Sequence, residues 1–366
     1  MASAENPQPA SRTMTSTGRM PSLDGLRAIS IILVLLGHAG GTRGFQRINL
    51  QIGDYAHLGV VVFFVISGFL ITSLLMHEYD TTRRISLRLF YARRTLRIFP
   101  ASYFYLCVIC LLSAFNFIHL TGADVWHAFT YTVNFFPGSS WQIGHLWSLS
   151  VEEQFYLLWP FAFAASGPRK ANWVAWAVIA LAIVARIVNR VVLIETPYHD
   201  LPMFPMVADS LATGCLLAKL RGWLENQAWY MKVFHPAWSL LVLTLVLVLN
   251  RFQGYTLISV FGTSIINLGL AVLIHRSVYL AGSPVGKLLN WNPLAFVGVL
   301  SYSLYLWQQL FLDRASSTWM NAFPQNLAFS ITAALASYFL LEKPLLGLRR
   351  RMRIRSERMQ PSVSVG

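Results

Sequence analysis

Charge is scarce in this chain. Asp, Glu, Lys and Arg together make up 12% of its 366 residues, about half the share of an ordinary soluble domain. Too few charges remain to cover a surface facing water, which excludes a soluble enzyme and a disordered protein. Cysteine is nearly missing. Cys107, Cys110 and Cys215 all sit in apolar segments, so a disulfide scaffold is excluded. The Cys107–Cys110 spacing mimics CxxC but has no second pair, and it reads as packing rather than redox or metal chemistry. No P-loop, dinucleotide fingerprint, HExxH or GxSxG motif is present. ATP, NAD, zinc and serine-hydrolase chemistry therefore lack support, and no metal or bound cofactor is expected. No cleavable signal is visible either.

What the chain has in abundance is apolar and aromatic residues, 55% hydrophobic and 14% aromatic, with mean hydropathy +0.51. Long apolar runs recur from Leu23 to Leu341. A membrane-spanning helix needs roughly 20 mostly apolar residues, and this criterion predicts an all-α polytopic membrane protein. Its spans fall near 23–39, 56–76, 100–118, 145–165, 172–194, 203–220, 235–250, 256–275, 294–312 and 325–343. The stretch 119–144 is too long for a tight turn and its apolar part, 125–136, is too short to span; it reads as re-entrant or interfacial. Residues 1–20, polar and rich in Ser, Thr and Pro, read as a disordered tail, 21–345 as one membrane domain and 346–366 as a basic tail. No appended soluble domain is expected.

The net charge of +14 would suggest nucleic acid in a soluble protein; here its distribution excludes that partner. Arg83, Arg84, Arg88, Arg93, Arg94 and Arg97 crowd one loop, and Arg349, Arg350, Arg351, Arg353, Arg355 and Arg358 crowd the tail. Only Arg43, Arg47, Arg251 and Arg314 fall in outer loops. By the positive-inside rule both termini are cytosolic, in a cytoplasmic membrane whose anionic lipids attract the basic clusters.

Ionisable residues inside spans are costly and mark function by default. In the first span, Arg27 and His38 are three helical turns apart and nearly on one face, about 16 Å apart along the axis. Asp24, one turn before Arg27, can pair with it. In HLWSLSVEEQFYLLWP, His145, Ser148, Glu152, Tyr156 and Trp159 follow one helix face, whereas adjacent Glu152 and Glu153 point apart. In LSYSLYLWQQLF, Ser301, Tyr305 and Gln308 share a face, where interhelical hydrogen bonding is an equal reading. Asp209, Asn267, Arg186 and Arg190 complete the inventory; Arg186 and Arg190 could hold an anionic or glycan acceptor at the outer mouth, or simply snorkel. A neutral imidazole can take a proton from a hydroxyl while a carboxylate orients it, and guanidinium groups grip phosphate. The set suits acyl transfer from a phosphorylated donor to an alcohol.

At SLDGLRAISIILVLLGHAG (22–40), FFVISGFLIT (63–72), RRTLRIFP (93–100), HLWSLSVEEQFYLLWP (145–160) and SYSLYLW (301–307), the chain resembles the acyltransferase type 3 family of integral-membrane O-acyltransferases. The resemblance implies that Arg27 and His38 are that family's paired Arg and His, that Arg93, Arg94, Arg97 and Pro100 form its cytosolic arginine motif, and that Glu152 is the first acid of its SVEEQFY motif. It further implies transfer of an acyl group, often acetyl from acetyl-CoA, to hydroxyls of surface glycans or secondary metabolites. Gln308 departs from the His that many relatives carry, and it receives no catalytic role. The expected site is thus His38 and Glu152 as catalytic groups, with Glu152 orienting His38. Arg27, Arg88, Arg93, Arg94 and Arg97 are expected to hold acyl-CoA, and Asp24, His145, Ser148, Tyr156, Ser301 and Tyr305 to support the site. Acyl-CoA is the expected co-substrate and a glycan hydroxyl the acceptor, ahead of an antibiotic or metabolite. A transporter of glycans or metabolites is the rival class.

Overall fold

The computed structural model describes residues 20–45, 54–199, 201–345 and 347. The N-terminal tail up to residue 19, Arg47 and the basic arginines of 346–366 lie outside them. The described residues form helices and no strands. In chain order these are α1 (Leu23–Ala39), α2 (Tyr55–Thr82), α3 (Leu87–Ala114), α4 (Gly122–Phe129), α5 (Trp141–Gly144), α6 (Leu146–Val192) and α7 (Phe204–Glu225). They continue as α8 (Ala228–Lys232), α9 (Pro236–Arg251), α10 (Thr263–Tyr279), α11 (Pro284–Leu289), α12 (Asn292–Phe311) and α13 (Gln325–Ser337). π-helical turns precede α10 at Ile258–Gly262 and follow α13 at Tyr338–Glu342.

Polarity is distributed inside out. Asp209, Asn267, Gln308 and Ser303 are wholly buried, whereas Trp173, Val191 and Leu340 are more than 70% exposed. Water would reverse that arrangement; hydrocarbon permits it, because helices satisfy their own backbone groups. Five helices are long and apolar enough to cross a membrane: Tyr55–Thr82, Leu87–Ala114, Trp141–Val192, Ile258–Tyr279 and Asn292–Phe311. The protein is therefore an all-helical membrane protein. Each of the ten sequence-expected spans falls on a helix, but α1, α9 and α13 are 17 residues or shorter, and α10 reaches 22 only with the π-helical turn before it. Between 119 and 140, the longest helix is α4, with 8 residues.

Two local differences from the sequence reading have clear causes. The expected spans 145–165 and 172–194 are limbs of one 47-residue helix, α6, bent at Gly167. There φ is 71°, a backbone that glycine adopts without a Cβ penalty, and Pro168 starts the second limb. Of the arginine-rich segment expected as loop, Arg83 and Arg84 lie in the connection after α2, whereas Arg88, Arg93, Arg94 and Arg97 belong to the opening of α3. Ser86 caps it by accepting from Leu89 N–H; helical spacing puts Arg97 beside both Arg93 and Arg94, and the ion pair with Glu78 draws Arg93 off.

Close helix contacts rest on glycines. Gly68 of α2 and Gly214 of α7 let the two backbones touch; a Cβ on either would run into the carbonyl of Leu211 or Val65. Gly25 and Gly298 serve α1 in the same way, against α11 and α12. Such small-residue seams are how helices associate without a hydrophobic driving force in lipid.

Candidate functional site

A cavity of about 70 Å³ runs between α1, α2, α3, α6 and α12. It is lined by Arg27, Arg94 and Arg97, with Tyr156 against Arg94, and by Ser67, Glu152, Ser148, Ser301 and Tyr305. That volume is room for only a few waters.

The arginines are unequally employed. Arg27 makes no hydrogen bond or ion pair among the described residues, so its fork of five donors faces the cavity unclaimed. The Arg94 guanidinium lies 3.5 Å from the centroid of the Tyr156 ring, and its Nε has no partner. Arg93 donates to Glu78 Oε2 at 3.1 Å and Arg88 is exposed; neither lines the cavity. Asp24 pairs with no described residue, and the expected ion pair with Arg27 is absent there; its place in the first turn of α1 suits the helix dipole instead.

Glu152 accepts from Ser67 Oγ at 2.6 Å. Ser67 was not singled out from the sequence, although a hydroxyl in the apolar run FFVISGFLIT was a legible signal. Adjacent Glu153 is directed elsewhere and its Oε1 is buried without a partner. The Tyr305 hydroxyl donates to the His145 carbonyl at 2.7 Å and lies 2.6 Å from Ser148 Oγ. The His145 ring nitrogens are 2.9 Å from Gln309 Oε1 and 3.1 Å from the Leu306 carbonyl. Neither nitrogen is open to a substrate, and His145 joins α12 to the start of α6.

His38 stands at the other end of α1 from Arg27. Its Nδ1 is 2.7 Å from Gln308 Oε1, so the position expected for Glu152 as its orienting partner is taken by Gln308. The Trp141 ring meets it edge-on at 5.8 Å. Arg314 donates to the Gly37 carbonyl at 2.7 Å and sits 5.9 Å over Trp141. A polar column thus leads from three arginines, past a carboxylate and hydroxyls, toward a half-buried imidazole.

The Arg186 reading is corrected. Arg186 donates to Asp209 Oδ2 at 2.9 Å, to Ser264 Oγ at 2.7 Å and to the Met206 carbonyl at 3.0 Å. It is a buried cross-link of α6, α7 and α10, not an acceptor-binding group. Cys107, Cys110 and Cys215 are free thiols, and no cluster of metal-ligating side chains forms among the described residues.

The site is thus a cavity inside a helical membrane domain, lined by three arginines, a carboxylate and hydroxyls, with a histidine at the other end of α1. The family model described as "Acyltransferase domain" matches residues 20–342, and the chain belongs to this acyltransferase type 3 family. It is 30% identical to "Putative peptidoglycan O-acetyltransferase YrhL" of Bacillus subtilis, covering 89% of this chain and 55% of that protein. It is 28% identical to "O-acetyltransferase OatA" of Staphylococcus aureus, covering 91% of this chain and 58% of that protein. The chain therefore spans little more than half the length of these relatives. No solved structure matches it.

Proposed function

We propose that the protein is an O-acetyltransferase of the cytoplasmic membrane. It moves an acetyl group from cytosolic acyl-CoA to a hydroxyl of a cell-surface or exported glycan, with the name of the Bacillus relative pointing to peptidoglycan. The observation that carries this reading is a cavity lined by three arginines together with Glu152 and Tyr305, on a helix whose other end carries His38. Arg27, Arg94 and Arg97 receive the phosphates of the donor, since a pyrophosphate needs several charge-assisted contacts. The thin arm carries the thioester along the cavity past Glu152 and Tyr305.

At the far end His38 Nε2 takes the proton of the acceptor hydroxyl. The acceptor oxygen attacks the thioester carbonyl, a C–O bond forms, the C–S bond breaks, and the departing thiolate takes up that proton from the imidazolium to give free CoA. Inside-out membrane vesicles given labelled acetyl-CoA test the acceptor class. Label in the glycan fraction, absent for His38→Ala, supports the reading. Label confined to small molecules would move the acceptor to a metabolite, and uptake of a glycan without CoA release would favour a transporter.

A further inference from the structure

We infer that Gln308 is the positioning residue of His38: its amide oxygen holds the proton on Nδ1 and so leaves the Nε2 lone pair free to act as base. The inference rests on the acyl-transfer reading for its consequence and on geometry for its substance. Gln308 is wholly buried on α12, its Oε1 is 2.7 Å from His38 Nδ1, and its Nε2 has no partner among the described residues. A buried amide inside a membrane domain that leaves both of its donors unused is expensive. Among the described residues, the one bond its side chain makes is to the proposed base.

A neutral imidazole carries one proton, and the partner of one nitrogen decides the state of the other. A carbonyl oxygen can only accept, so it selects the Nδ1–H form, and it still accepts from that N–H when Nε2 is protonated during transfer. Unlike a carboxylate, it adds no charge to the imidazole and so does not draw it toward the protonated form. The charged and titratable groups that act on His38 from neighbouring segments are Arg314, Asp54 and His145; none of them occupies the Nδ1 position. The Trp141 edge fixes the ring from the side.

The test is the tautomer of His38 in the full chain, labelled with ¹⁵N-histidine in detergent and read by long-range proton–nitrogen correlation. His38 signals are assigned by their disappearance in His38→Ala. The expected result is a protonated Nδ1 and bare Nε2 in wild type, a shift toward the doubly protonated ring in Gln308→Glu, whose carboxylate keeps an acceptor but adds charge, and loss of the Nδ1–H preference in Gln308→Leu. An Nε2–H form in wild type would overturn the assignment even if Gln308→Leu fails to fold. Unchanged His38 signals in Gln308→Leu would overturn it too. In parallel, CoA release should fall roughly ten- to a hundredfold in kcat for Gln308→Leu with an unchanged KM for acetyl-CoA, and in Gln308→Glu the ascending limb of the kcat–pH profile should move to higher pH. A confirmed tautomer in a wild-type protein that releases no CoA would refute the acyl-transfer reading and leave the assignment standing.

Discussion

At the scale of single residues, the six sequence-clustered arginines do not form one surface. Arg94 and Arg97 enter the cavity with Arg27 because α3 is already helical there, while Arg93 is turned to Glu78 and Arg88 to the outside. Removing one charge-assisted contact costs about 1.5–3 kcal/mol. Arg94→Ala should therefore weaken acetyl-CoA binding by about ten- to a hundredfold, and Arg88→Ala should leave it within about twofold; titration calorimetry on purified protein measures both. Equal affinities for Arg94→Ala and wild type would remove the docking assignment. The residue types of this site were legible in the sequence, because an Arg, a His or a Glu inside an apolar run announces itself by its cost. Their partners were not. Gln308 cannot act as a base and Ser67 is one hydroxyl in an apolar run, yet these two hold His38 and Glu152. Contacts between α1 and α12, or between α2 and α6, join residues far apart in the chain, and spacing within one helix carries no trace of them.

At the scale of elements, polar cross-links and glycine seams fix how the helices sit. Arg186 and Asp209 form a buried ion pair with side chains 9% and 0% exposed. Breaking such a pair strands a charge and costs about 3–5 kcal/mol. Asp209→Ala should lower the thermal midpoint in detergent sharply, and Asp209→Asn, which keeps an acceptor for Arg186, by less. A Leu at Gly214 meets the Val65 carbonyl and should abolish folded protein on size exclusion, whereas Gly222→Leu, with open space around it, should not. The short segment around α4 is tied by Asp124. Its carboxylate accepts from Thr121 N–H in a capping box and from Ser140 N–H and Oγ.

Burial pushes the Asp124 carboxyl up, but the hydrogen bonds from Ser140 and Thr121 outweigh it and hold the group below its ordinary value of 3.8. A carboxyl depressed in the folded state stabilises the protein above that ordinary value and loses its contribution as pH falls through the lower, folded one. Asp124→Ala should thus cost about 1–3 kcal/mol near neutral pH, and the difference from wild type should shrink on acidification below the carboxylate range; thermal scans across pH read it. The sequence located every one of the major helices from hydropathy, since each apolar run is a property of its own residues. It separated the limbs of α6 and began α3 too late, because a kink that keeps its helix and an arginine-rich first turn both look like loop when judged by apolarity alone.

At the scale of the whole molecule, the bundle brings an arginine-lined cavity and a histidine to opposite ends of the short helix α1, in a family of acyltransferases. This separation matters because a charged donor can stay at the polar end while only its uncharged arm enters the membrane interior, where charges are costly. It also divides binding from chemistry, so the two should respond to different substitutions. The measurement that bears most directly on this is CoA release by the purified protein with acetyl-CoA and a glycan acceptor, alongside acetyl-CoA binding, in wild type and His38→Ala. The account predicts release by wild type, none above background by His38→Ala, and the same donor affinity in both. Undiminished release by His38→Ala would contradict it.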